Sequence, residues 1–197
     1  MKVKKTIIAG LMSMATLVPC KAQTSFVSET GISGVINKEA SFYTGINFQS
    51  IKNKNFSDLY AGISVQPDKK ASFVGLAINN YSWTKNLSSW ARETFVTSNR
   101  ATSSTLEVAP IRANADIGKF NFSLAPSYTM YNHLRGSDKG TKQGINTILQ
   151  ATYPISPKET LFAEAKYTSE PAKNVFNTHF GKIKNNIAYM ISYLRNF

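Results

Sequence analysis

The feature that most constrains this chain is alternation with a period of two, repeated from end to end. Apolar and polar residues take turns, as they must on a strand with two unlike faces. From Phe42 to Gln49 one face reads Phe42, Thr44, Ile46, Phe48 and the other Tyr43, Gly45, Asn47, Gln49. From Leu59 to Gln66, Leu59, Ala61, Ile63 and Val65 alternate with Tyr60, Gly62, Ser64 and Gln66. Pro67-Asp68-Lys69-Lys70 then reads as a turn, and Val74, Leu76 and Ile78 follow against Gly75, Ala77 and Asn79.

The segment from Leu106 to Ile117 is less regular. Ile111, Ala113, Ala115 and Ile117 oppose Arg112, Asn114 and Asp116, and Pro110 marks a bulge or edge irregularity. Beyond the Gly118-Lys119 turn, Phe120, Phe122, Leu124, Tyr128 and Met130 alternate with Asn121, Ser123, Ser127 and Thr129. Two more strands run from Ile145 to Tyr153 and from Leu161 to Tyr167, joined by a turn at Ser156-Pro157-Lys158-Glu159. The last carries Ile187, Tyr189, Ile191, Tyr193 and Phe197 on one face.

A soluble β-sandwich, as in a periplasmic binding protein, also alternates, with its apolar face inward. Three features favour the inside-out arrangement. Aromatics stand at strand ends (Tyr81, Trp83, Tyr128, Tyr131, Tyr153, Tyr167), where a membrane barrel has its interface girdles. The polar face is made of Gly, Ser, Asn, Gln and a few opposite charges, suited to a narrow lumen. The chain also ends on a strand. Charged residues make up only 17% of the sequence, against about 25% in soluble proteins.

The first 22 residues read as a cleaved signal peptide: Lys2, Lys4 and Lys5, an apolar run from Thr6 to Pro19, then Cys20-Lys21-Ala22. The run is too short for a transmembrane helix, which needs about 20 residues. Leu17-Val18-Pro19-Cys20 approaches a lipoprotein signal but has proline where a small residue belongs, so cleavage is expected after Ala22. Residues 23–197 then form one domain without cysteine. Removing the four lysines of the leader from the 23 basic residues leaves 19 against 11 acidic ones, about +8. Behind an export signal that excess suits the phosphates of outer-membrane lipids and lipopolysaccharide, and nucleic acid is not indicated.

The expected fold is therefore all-β: a transmembrane, antiparallel, up-and-down barrel. Eight strands are clear from residue 40 onward, and residues 24–36 supply a ninth. Bacterial single-chain barrels have even strand numbers. Either residues 89–99 form a tenth strand, or the count stays at eight with residues 84–104 as a long outer loop. Ten is preferred, with the first strand pairing the last to remove both edges. The turns at Gly118-Lys119 and Ser156–Glu159 are placed on the periplasmic side, and residues 132–143 and 170–184 outside.

The ending Tyr189-x-Ile191-x-Tyr193-x-Arg195-x-Phe197 resembles the sorting signal that barrel-assembly machinery reads by strand addition. Arg195 departs from its apolar alternation, and an arginine there can snorkel to lipid phosphates. In pattern, the chain from residue 23 onward resembles the small outer-membrane barrels: the OmpA transmembrane domain, OmpX and the opacity-type proteins. That resemblance implies Sec export past periplasmic chaperones to the outer membrane. It also implies a role in membrane integrity, adhesion, host interaction or small-solute passage.

The expected lumen charges are Arg112, Asp116, Glu164 and Lys166, which would pair into a structural plug or a gate. Catalytic chemistry is poorly provided for. The only histidines are His133 and His179, with Ser137 and Asp138 near the first. Lipid A deacylases carry a strand motif resembling His-x-Ser-Asn, whereas this chain reads His179-Phe180-Gly181-Lys182. No Gly-rich phosphate loop, Cys cluster or His-x-x-x-His spacing occurs. The expectation is a barrel with no catalytic activity, no cofactor and no metal.

Overall fold

The computed structural model describes residues 23–36, 38, 40–52, 55–66, 71–98, 101–135, 140–169 and 186–197. The expected signal peptide, with Cys20 and the cleavage point, lies outside the described residues, as do the whole 170–184 segment and the expected turn at 67–70. Ten strands run in chain order: β1 Gln23–Val35, β2 Ser41–Lys52, β3 Asn55–Val65, β4 Ala71–Ser82 and β5 Leu87–Thr97, then β6 Thr102–Ile117, β7 Phe120–Arg135, β8 Gly140–Ser156, β9 Glu159–Ser169 and β10 Asn186–Asn196.

Each strand pairs antiparallel with its sequence neighbours, and β1 pairs with β10 to close the barrel. The choice between eight and ten strands is thus resolved at ten, with residues 87–97 supplying the strand in doubt. Closure leaves no unpaired edge. The Phe197 amide extends the seam by donating to the Phe26 carbonyl at 3.2 Å. Both described ends of the chain, Gln23 and Phe197, lie at one end of the barrel, called here the terminal end. The connections after β4, β6 and β8 lie there too.

The surface is inverted relative to a soluble protein. Phe42 (67%), Ile63 (52%), Leu149 (50%) and Ile191 (50%) are exposed, while Asn47, Glu107 and Asn146 are each 1% exposed. Water would penalise such an outer wall, and a bilayer solvates it. The fold is therefore a transmembrane barrel, built from strands long enough for the span of about 9–11 residues.

Register decides which face each strand presents, because directly paired residues point to the same side of the sheet. Here β4 departs from the apolar-out rule. Tyr60 pairs with Leu76 and Asp58 with Ile78, so the apolar Val74–Leu76–Ile78 face turns into the lumen. Gly75, Ala77 and Asn79 face outward instead, and Ser57 Oγ donates to Asn79 Oδ1 at 2.8 Å. In β6, the expected irregularity at Pro110 is a register shift between Val108 and Ala113 against β7. It lets Glu107 and Arg112, which are of opposite parity, both point inward.

Inward glycines on β1–β3 make room for tyrosines that lie flat on the wall. A Cβ on Gly45 would fall 2.4 Å from the Ala61 carbonyl oxygen and 2.6 Å from the Tyr60 ring. A Cβ on outward Gly75 would meet only Phe73, at 3.7 Å. Gly45→Ala should therefore destabilise the refolded barrel by about 1–3 kcal/mol. Gly75→Ala should leave the urea midpoint within error of the parent. Equal midpoints for the two variants would contradict this packing.

Candidate functional site

The centre of the lumen is an ion network that begins with one directly opposed pair. Arg92 of β5 faces Glu107 of β6 in the register. Its Nη2 donates to Glu107 Oε2 at 2.6 Å and its Nε to the same oxygen at 3.2 Å. The guanidinium also crosses the lumen to β9, where Nη1 and Nη2 grip the two oxygens of Glu164 at 3.0 Å each. Arg92 thus holds two carboxylates, and it lies 5.0 Å from the Trp90 ring centroid. A planar, five-donor guanidinium suits this double role in a way an ammonium does not.

Both carboxylates are further satisfied. Glu107 Oε1 accepts from Ser127 Oγ (2.8 Å), Thr129 Oγ1 (3.0 Å) and Asn146 Nδ2 (2.6 Å). Lys166 Nζ lies 3.5 Å from Glu107 Oε2. Glu164 Oε2 accepts from Gln150 Nε2 at 2.8 Å. Buried charge is tolerable only when so completely paired. The network ties β5 through β9 together across the lumen, beside the apolar cluster of Trp90, Ala109, Ala125 and Ile148.

Of the expected lumen charges, Glu164 and Lys166 belong to this network, though each finds a partner other than its neighbour on β9. Arg112 lies lower in the lumen, donating to Asn114 Oδ1 at 2.9 Å and Gln150 Oε1 at 3.5 Å. Asp116 keeps the inward parity but sits at the mouth. Its half-exposed carboxylate meets Lys85 at 3.5 Å and accepts from Asn121 at 2.8 Å. Arg92 and Glu107, which anchor the whole arrangement, were not among the expected residues. Their signal was present as parity: Ser88, Trp90, Arg92 and Thr94 form one face of β5.

The opposite wall carries a second acidic group. Glu29 of β1 accepts from Tyr43 Oη at 3.2 Å and Asn47 Nδ2 at 2.7 Å. Two cavities flank this level. One, about 360 Å³, reaches Lys158 and Asn196 at the terminal end. The other, about 310 Å³, reaches Ser64, Gln66 and Ser72 at the far end. Glu29, Leu76, Arg92 and Met190 border both and form a waist between them.

On β10, the Tyr189, Ile191 and Tyr193 side chains stand on the outer face, and Tyr193 Oη donates to Glu159 Oε1 at 2.6 Å. Phe197 is 77% exposed at the seam. His179, Ser137 and Asp138 lie outside the described residues, and only the backbone of His133 is described, in β7. Among the described residues, no group of three or more His, Cys, Asp or Glu side chains could hold a metal.

These features define a class: a closed ten-stranded membrane barrel with a charged, waisted lumen. No family model matches the sequence, and no curated protein matches it. Among solved structures the chain is similar to the NanC porin, with TM-score 0.44, 10% identity, and coverage of 88% of this chain and 99% of that one. It is also similar to the KdgM porin, with TM-score 0.42, 9% identity, and coverage of 87% and 99%. A third is the N-terminal barrel domain of Pseudomonas aeruginosa OprF, with TM-score 0.39, 11% identity, and coverage of 90% and 100%.

Removing Arg92 would leave Glu107 and Glu164 buried without their shared cation. Arg92→Ala should cost about 3–5 kcal/mol in urea unfolding of the refolded barrel. Lys85→Ala, which removes the solvent-exposed partner of Asp116, should leave the midpoint unchanged. Similar midpoints for both variants would contradict a central role for Arg92.

Proposed function

We propose that the protein is an integral outer-membrane barrel, without catalytic activity, that serves as a narrow, guarded conduit for small solutes. The observation that carries this reading is the pair of cavities meeting at the Glu29–Leu76–Arg92–Met190 waist. Together they run from the Lys158 end of the lumen to the Gln66 end. Small barrels are largely filled by their own side chains, which favours a narrow passage over a wide pore. Two chambers and a side-chain waist are what a slow, selective passage requires.

In this reading the chain is exported by the Sec pathway and escorted by periplasmic chaperones. The assembly machinery takes it up through the Tyr189, Ile191, Tyr193 and Phe197 strand. The terminal end faces the periplasm, and the outer wall rests against lipid and lipopolysaccharide.

Planar bilayers test the conduit. The wild-type barrel should give small, discrete conductance steps. Replacing both Leu76 and Met190 by Ala should enlarge those steps severalfold, because these two side chains narrow the waist without belonging to the ion network. No steps from either protein would overturn the reading and leave a structural or adhesive role for the barrel.

A further inference from the structure

The chamber at the terminal end holds unmatched charge. Asp58 of β3 is buried, with 8% of its surface exposed. Among the described residues its only side-chain hydrogen bond is a long one, 3.5 Å from Gln49 Nε2 to Oδ2, and Oδ1 has no partner. Glu107 and Glu164, by contrast, are both paired with Arg92 and further hydrogen-bonded. Among the described residues Arg112, on the same chamber, donates to two neutral amide oxygens and no carboxylate. A shielded carboxyl without a cation is costly to ionise, and a half-buried guanidinium without an anion is poorly matched, so both are open to counter-groups.

These two groups are not ion-paired with each other. They stand on β3 and β6, three strands apart around the ring. One stretch of the chamber wall is apolar, because inverted β4 contributes Leu76 and Ile78, and Phe162 and Leu194 face the same space; Glu29, Arg92 and Lys158 border it too. Asn80, diagonal to Asp58 across the β3–β4 pair, has a buried Oδ1 with no partner and lines the chamber as well. At about 360 Å³ the space falls in the range of small-molecule sites, about 300–1,000 Å³.

We propose that this chamber binds a small zwitterion of the ω-amino-acid class, with its ammonium and carboxylate at opposite ends of a short alkyl chain. The ammonium is held at Asp58, with Asn80 as second acceptor. The carboxylate is held at Arg112, and the alkyl chain between them lies against Leu76, Ile78 and Phe162. The proposal deepens the conduit reading by naming its solute class, and it rests on that reading for the solute's route but not for its binding.

Calorimetric titration of the refolded barrel in detergent tests it with three probes of similar length: 6-aminohexanoate, hexanoate and hexylamine. 6-Aminohexanoate should bind at least tenfold tighter than either analogue. Asp58→Asn should cost 6-aminohexanoate about tenfold while leaving hexanoate unchanged, and Arg112→Gln should cost 6-aminohexanoate about tenfold while leaving hexylamine unchanged. The probe series on the wild-type protein stands by itself if either variant fails to fold. Absence of 6-aminohexanoate binding at tens of millimolar, or equal affinity for all three probes, overturns the proposal. Channels without 6-aminohexanoate binding would sink this inference and spare the conduit. 6-Aminohexanoate binding without channels would do the reverse.

Discussion

The interior of this barrel depends on Arg92 being held between two carboxylates. One of them, Glu107, is its direct partner across the β5–β6 pair, and the other, Glu164, reaches it from β9. An adjacent pair alone would stabilise two strands. The Glu164 arm closes a chord across the lumen and makes β5 through β9 one unit. Glu107 and Glu164 are buried, so their interactions are little screened, and a missing partner is correspondingly costly. Ser127, Thr129 and Asn146 complete the arrangement by donating to Glu107 Oε1, which Arg92 leaves free, and Gln150 donates to Glu164 Oε2, which it shares with Arg92.

The rest of the lumen is organised by what that network leaves over. It occupies one side, so β1–β4 and β10 can keep open space against it. Glycines at 31, 45 and 62 let Tyr43 and Tyr60 lie close to the wall instead of projecting across it. The waist forms where the network's Arg92 comes level with Glu29, Leu76 and Met190. The unmatched Asp58 and Arg112 lie on its terminal side, away from the satisfied charges.

Much of the architecture was legible because period two is a local signal. The strands, the Pro110 irregularity, the turns at Gly118-Lys119 and Ser156–Glu159 and the closing pair of β1 with β10 all follow from alternation and from the need to remove edges. The inward parity of Glu164, Lys166 and Arg112 was legible for the same reason. Partner choice was not. Arg92 and Glu164 are 72 residues apart, and no spacing announces that they meet. The turned face of β4 was also hidden, since Val74, Leu76 and Ile78 look like a lipid-facing set by composition. Only the register against Asp58 and Tyr60 sends them inward. Asp116 illustrates a third limit: parity fixes the face, but height along the strand decides between lumen and mouth.

The central claim is an apolar outer wall around a lumen held by Arg92, with β4 turned inward by its register. Depth-resolved fluorescence quenching tests it most directly. With Trp83 and Trp90 replaced by Phe, single tryptophans are placed at Ile63, Phe73 or Leu76 and the protein is refolded in vesicles of brominated lipid. Tryptophans at Ile63 and Phe73 should be strongly quenched, and the one at Leu76 should not be. Quenching at Leu76 equal to that at Ile63 would contradict the account.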